Sequence, residues 1–136
     1  MQTATVQWKG REEFFATLPS GNTVLFDAGS GNKAGPSPME ILLGALGACT
    51  SVDVILILEK KRLKVTGLEV SVSGERASEP PQVWTKIEIL YRVFGKLDEK
   101  AVRDAIELSQ SKYCSVAATL RRTAQITYRY EILPST

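Results

Sequence analysis

The sequence predicts one α+β domain over residues 1–136, with elements in the order βββαββααβ. Three observations carry this reading. One long apolar stretch, SPMEILLGALGACTSVDVILIL (Ser37–Leu58), has the length and the start signal of a helix. Alternating apolar and polar residues mark strands on both sides of it. A shorter amphipathic helix pattern follows Asp98. Strands and helices are grouped rather than strictly alternating, and neither a repeat nor an internal linker separates them.

Thr3 to Trp8 alternates Ala4, Val6 and Trp8 against Thr3, Thr5 and Gln7, the pattern of a half-buried strand. Lys9-Gly10 reads as a turn, Glu12–Thr17 as a second strand, and Pro19-Ser20-Gly21-Asn22 as another turn. Thr23–Phe26 is the third strand, so an antiparallel meander is expected. Asp27 to Pro36, DAGSGNKAGP, reads as a flexible glycine-rich connection or lid. It lacks the GxxxxGK[ST] order of a phosphate-binding loop.

Ser37 suits a helix N-cap, Pro38 the first helical position, and Glu40 completes a capping box. At about 1.5 Å rise per residue the helix spans roughly 33 Å. Between Ile41 and Leu58 only Asp53 is charged, and a helix apolar nearly all round is expected to be a buried central one. Gly44, Gly47, Ala48 and Ser51 form a stripe of small residues. A helical glycine costs about 1 kcal/mol relative to alanine, so two on one face point to close approach by another backbone, with a second helix the expected neighbour. Thr50, Ser51 and Asp53 near its centre argue against a membrane span. Lys60-Lys61-Arg62 complements the dipole at its end.

Lys64–Gly74 reads as a strand with Leu68, Val70 and Val72 inward, and Ala77 to Pro81 closes a hairpin. Val83–Phe94 is the longest strand. Val83, Thr85, Ile87, Ile89, Tyr91 and Val93 share one face, and Trp84, Lys86, Glu88, Leu90, Arg92 and Phe94 the other, partly covered one. Asp98 caps a helix through about Ser109 with Ala101, Val102, Ala105, Ile106 and Leu108 as its apolar side. Gln110–Tyr113 is a break, and Ser111 or a neighbour caps a short helix from Cys114 to about Arg121. The last strand, Ala124–Leu133, turns Ile126, Tyr128, Tyr130 and Ile132 inward.

Function classes narrow by exclusion. Seventeen basic and 15 acidic residues give a net charge of +2, too balanced to attract nucleic acid or a membrane surface. The start, MQTATVQWKG, has no signal-peptide pattern, so a cytoplasmic protein with reduced cysteines is expected. The chain has no histidine, which removes the Ser-His-Asp triad, the Cys-His pair and His-ligated metals. Two distant cysteines make a poor zinc site, and neither a metal nor a cofactor is expected.

Cys49 and Cys114 are then the candidate reactive groups, since a thiolate is nucleophilic wherever something stabilises it. Cys49 lies far beyond the first turn of its helix, where the dipole has faded, and Asp53 one turn on opposes its charge. Activation must come from a cation on another segment. Cys114, beside Lys112 near a helix start, has both dipole and charge in favour of its thiolate. The competing reading for each is a small buried hydrophobe.

Two segments, GPSPMEILLGALGACTSVDV (Gly35–Val54) and SKYCSVAATL (Ser111–Leu120), give the chain its resemblance to the OsmC/Ohr family over essentially its whole length. The form of both looks most like the YhfA-type OsmC-like branch. The resemblance implies an OsmC-like fold built as an intertwined homodimer, with the long helices at its centre. It also implies a thiol peroxidase acting on organic hydroperoxides in oxidative stress defence. In that scheme Cys49 is the peroxidatic thiolate, Cys114 the resolving thiol, and a dithiol, small or protein-bound, the reductant. The resembling peroxidases hold the thiolate with an Arg from the N-terminal strands and a Glu on the long helix. Arg11 is the only arginine in the meander and the candidate for the first. Met39 stands at the position of the second, and Glu40 one step on is accounted for by the cap. The alternative reading is a non-catalytic OsmC-like dimer that binds a small apolar or thiol-reactive ligand.

Overall fold

The structure, a computed structural model, describes residues 1–135. Its elements are β1 (Thr5–Gly10), β2 (Glu13–Thr17), β3 (Thr23–Asp27), α1 (Pro38–Lys60), β4 (Gly67–Arg76) and β5 (Trp84–Phe94). After them come α2 (Glu99–Leu108), a π-helical turn (Ser109–Tyr113), α3 (Ser115–Leu120) and β6 (Gln125–Leu133). This is the expected βββαββααβ order. Two compact units divide the chain, Met1–Leu42 and Leu43–Thr136, and α1 begins in the first and continues into the second.

In the first unit β1, β2 and β3 form the antiparallel meander, with Trp8 opposite Phe14 and Phe14 opposite Phe26. The first turn differs from expectation. β1 runs on to Gly10 through a register shift between Trp8 and Gly10, and the turn falls on Arg11-Glu12. Arg11 takes a left-handed conformation, φ 49°, and its carbonyl accepts a 2.9 Å bond from Trp8 Nε1. The half-buried face expected for β1 is largely open in this chain, with Val6 57% and Trp8 68% exposed.

The glycine-rich loop is pinned rather than flexible. Asp27, itself buried, accepts from the Gly29 amide at 2.9 Å and the Ala34 amide at 3.0 Å. These bonds hold its carboxyl below the usual range. A side chain at Gly35 would run into the Leu25 carbonyl, so only glycine fits there. The capping box is present as read: the Ser37 amide donates to Glu40 Oε2 at 2.7 Å, and the Glu40 amide to Ser37 Oγ at 3.2 Å.

The second unit is a sheet in the order β4-β5-β6, antiparallel between β4 and β5 and parallel between β5 and β6. The parallel pair needs a crossover, which α2, the π turn and α3 supply. Ile87, Ile89, Tyr91 and Val93 are fully buried, as the alternation requires. At the start of β5 the alternation fails: Trp84 is buried and Thr85 exposed. A bulge explains this. Glu75 pairs with Lys86 but Arg76 with Trp84, so Thr85 is the extra residue and Trp84 moves to the inner face. Across the outer face, Arg92 bonds Glu69 at 2.8 Å and lies 3.7 Å from Glu131, one acidic neighbour on each flanking strand.

Asp98 caps α2 as expected, accepting from the Ala101 amide at 3.0 Å. Ala101, Val102, Ala105 and Ile106 are its buried side, while Leu108, read as part of it, stays exposed. Helix α1 packs one face on the sheet. Leu46, Gly47, Thr50, Val54 and Leu58 are buried, but Val52 and Leu56 are 56% and 61% exposed. A single sheet covers only one side of a helix, so burial all round is not met within this chain. Within this chain the small stripe meets a strand: a Cβ on Gly47 would lie 3.3 Å from Val72, and Gly44 faces open space. Leu43, Gly44, Gly47, Ala48 and Ser51 with Val70 and Val72 leave an open groove of about 310 Å³.

Gly74 tests this packing. A Cβ there would sit 2.8 Å from the Trp84 ring and 3.3 Å from Leu43. Gly74→Ala is expected to lower stability by about 1–3 kcal/mol, as overpacking does, read from urea unfolding. An unchanged midpoint would show that Trp84 moves aside freely.

Candidate functional site

The two cysteines, distant in sequence, meet. Cys49 sits mid-way along α1 and is partly exposed; Cys114 is buried where the π turn hands over to α3. The two sulfurs are near enough to influence each other, the Cys49 sulfur helping to hold Cys114 in its protonated form. Both are free thiols. Cys114 is the N-cap of α3, its sulfur accepting a 3.4 Å bond from the Ala117 amide. Ser111 is not the cap; its hydroxyl turns back to the Glu107 carbonyl at 2.7 Å.

Sequence logic favoured a thiolate at Cys114, and the structure reverses that. Burial pushes the Cys114 thiol up to about 11, the Ala117 amide opposes this in part, and the Cys49 sulfur and the Asp53 charge raise it further. Lys112 gives no help, since its Nζ lies 5.2 Å above the Tyr113 ring. Cys114 is therefore a buried, protonated thiol at neutral pH.

Around the pair runs a buried polar chain that joins α1, β5 and the π turn. Thr50 Oγ1 lies 2.7 Å from both Tyr91 Oη and Ser109 Oγ. Ser109 Oγ donates to Asp53 Oδ2 at 2.8 Å. Gln110 Nε2 donates to Tyr91 Oη at 2.7 Å and to Thr50 Oγ1 at 3.3 Å. Arg121 Nη2 donates to the Gln110 carbonyl at 3.0 Å and to its Oε1 at 3.3 Å. Because the Asp53 carboxylate can only accept, Ser109 must spend its proton there, Thr50 then donates to Ser109, and Tyr91 to Thr50. Every bond thus points toward Asp53. Thr50, Tyr91 and Ser109 are fully buried and Gln110 nearly so. Among the described residues, no buried side-chain nitrogen or oxygen lacks a partner. Burial also raises the Tyr91 hydroxyl above its ordinary range, keeping it a donor.

The sequence reading missed this chain, reading Gln110–Tyr113 as a break and Asp53 only as an obstacle to Cys49. The available signal was a threonine within the apolar helix and a tyrosine on the inward face of β5. A buried polar group must find a partner. Arg11 belongs to the first unit, exposed in the β1–β2 turn and in no ion pair among the described residues. No cluster of three or more His, Cys, Asp or Glu able to hold a metal occurs among the described residues.

Site-resolved iodoacetamide labelling at neutral pH should modify partly exposed Cys49 well before Cys114. Cys114 labelling should then climb about tenfold per pH unit as its thiolate fraction grows toward its midpoint near 11. Equal labelling at pH 7 would contradict the protonated, buried Cys114.

The profile of the OsmC-like protein family matches residues 29–129. Protein YhfA of Escherichia coli K12 is 42% identical over 131 residues, covering 96% of this chain and 97% of its own. The crystal structure of a hypothetical protein from Aquifex aeolicus VF5 superposes with a TM-score of 0.89 at 30% identity, covering 100% of this chain and 98% of its own. The organic hydroperoxide resistance protein OhrB of Bacillus subtilis shares the fold at TM-score 0.66 and 14% identity, with 96% of this chain and 98% of its own covered. With both cysteine segments inside the matched region, the chain belongs to the OsmC-like protein family.

Proposed function

We propose that the protein is a cytoplasmic, homodimeric thiol peroxidase that reduces organic hydroperoxides. The observation that carries this reading is the pair of free, neighbouring thiols, one partly exposed and one buried and protonated. The Cys49 thiolate attacks the terminal oxygen of ROOH; the O–O bond breaks, the alkoxide leaves and takes a proton from water as ROH, and Cys49 becomes a sulfenic acid. The Cys114 sulfur then attacks the Cys49 sulfur, an S–S bond forms, and the departing hydroxide takes the Cys114 proton as water. An external dithiol reduces the disulfide by exchange and is itself oxidised to a disulfide. OsmC-like membership and the shared fold of a protein named for organic hydroperoxide resistance support the substrate class.

In this reading Arg11 is the cation that meets the Cys49 thiolate. A second copy covers the faces this chain leaves open, Val52 and Leu56 on α1 and Val6 and Trp8 on β1. Burying one Val or Leu side chain stabilises by roughly 1.5–3 kcal/mol, a strong drive to cover these two on α1. Neither nucleic acid nor a membrane takes part.

The second reading is a dimer that binds a small apolar or thiol-reactive ligand without turnover. Met39, where the resembling peroxidases carry a glutamate, favours it. One assay separates the two. Purified protein with a dithiol such as dihydrolipoic acid should consume cumene hydroperoxide, Cys49→Ser should consume none, and Cys114→Ser should stop after about one equivalent. No consumption by the parent with any dithiol would leave the binding reading. For the assembly, sedimentation should show a dimer that Leu56→Glu converts to monomer; a monomeric parent would contradict it.

A further inference from the structure

The polar chain beside the cysteines does more than satisfy buried groups. Thr50 directly follows Cys49 in α1, and Ser109 opens the π turn that ends at Cys114. Ser109 is held at both ends. Its carbonyl accepts the Cys114 amide at 2.8 Å, the wide bond that defines the π turn, and its hydroxyl reaches Asp53 Oδ2. The contacts from Thr50 and Asp53 thus fasten the segment bearing Cys114 to the helix bearing Cys49. A standard α-helical turn would place Ser109 and Cys114 differently, and π turns, rare overall, occur often at functional sites.

We propose that Asp53 is the positioning residue of the cysteine pair: acting through Ser109, with Thr50 beside it, its carboxylate locks the π turn against α1 so that the Cys114 sulfur stays within bonding reach of the Cys49 sulfur. The proposal rests on the redox-pair reading of the same site. Asp53 touches no reacting atom, so it is not a catalytic residue. Its charge has a second effect. The titratable groups that face Cys114 are Cys49 and Asp53 from α1 and Tyr91 from β5, and of these Asp53 is the carboxylate. Burial is the main reason Cys114 stays a thiol, and the Asp53 charge adds to it, until a sulfenic acid on Cys49 gives the sulfur something to attack. The brace sets distance, and burial with the charge sets order. Gln110, an amide, does not pass protons, so the chain is a scaffold and not a proton path.

The test is the disulfide equilibrium of the full chain in glutathione redox buffers, which needs no peroxidase activity. Ser109→Ala and Asp53→Leu each break the link. They should lower the equilibrium constant for the Cys49–Cys114 disulfide about tenfold or more, the scale on which loss of orientation reduces effective concentration. Asp53→Asn keeps an acceptor for Ser109 and should recover most of the pairing. Because it removes the charge, it should also move the pH midpoint of Cys114 labelling down, a change that a purely structural role would not produce. Ser109→Ala removes a single hydroxyl, so it decides the question even where Asp53→Leu fails to fold. Equilibrium constants within threefold of the parent for a folded Ser109→Ala would overturn the brace. An unmoved labelling midpoint in Asp53→Asn would overturn the ordering effect. If the parent forms the disulfide in glutathione but consumes no hydroperoxide, the peroxidase reading fails and the brace stands. If peroxide is consumed and the variants pair like the parent, the brace alone fails.

Discussion

Two hydroxyls 2.7 Å apart, Thr50 on α1 and Ser109 at the head of the π turn, hold together what the rest of the molecule is arranged around. The contact is buried, and its surroundings decide that it is favourable. Each hydroxyl has further partners, Tyr91 and Gln110 on one side and the Asp53 carboxylate on the other. A buried polar network stabilises only when every member is satisfied, because an unpaired group costs about 1–3 kcal/mol. Here the condition is met. The network spans helix, strand and turn, so it fixes the position of α1 on the sheet more narrowly than apolar packing alone would.

That fixation gives the two sulfurs different environments at close range. Cys49 points from a helix whose other face is open, while Cys114 is enclosed and capped by the Ala117 amide. Burial outweighs the favourable helix start at Cys114, and the Asp53 charge adds to it. A single acidic residue thus anchors a hydroxyl and, from the same position, adds to the burial that keeps the thiol protonated. Both sulfurs would compete for oxidant if the environments were alike.

Much of this was legible in the residues. The capping box at Ser37 and Glu40, the alternation along β5 and the N-cap at Asp98 follow from local rules and are found in the structure. The misses depend on partners or surroundings that local periodicity and composition do not display. Trp84 is buried because a bulge opposite Glu75 and Arg76 flips it, which alternation cannot show. Asp27 pins its loop through amides that a glycine-rich composition conceals. Cys114 looked activated by its helix start because sequence does not display burial. Asp53 was weighed against Cys49, its neighbour one turn back, whereas its hydroxyl partner comes from Ser109 across the fold.

The central claim is that Cys49 and Cys114 form one redox pair. Its most direct test is peptide mapping by mass spectrometry after one equivalent of cumene hydroperoxide is added to the reduced protein. The account predicts a single intrachain Cys49–Cys114 crosslink, with the chain lighter by two hydrogens. Cysteines that both stay reduced, or a Cys49 sulfinic acid beside a free Cys114, would contradict it.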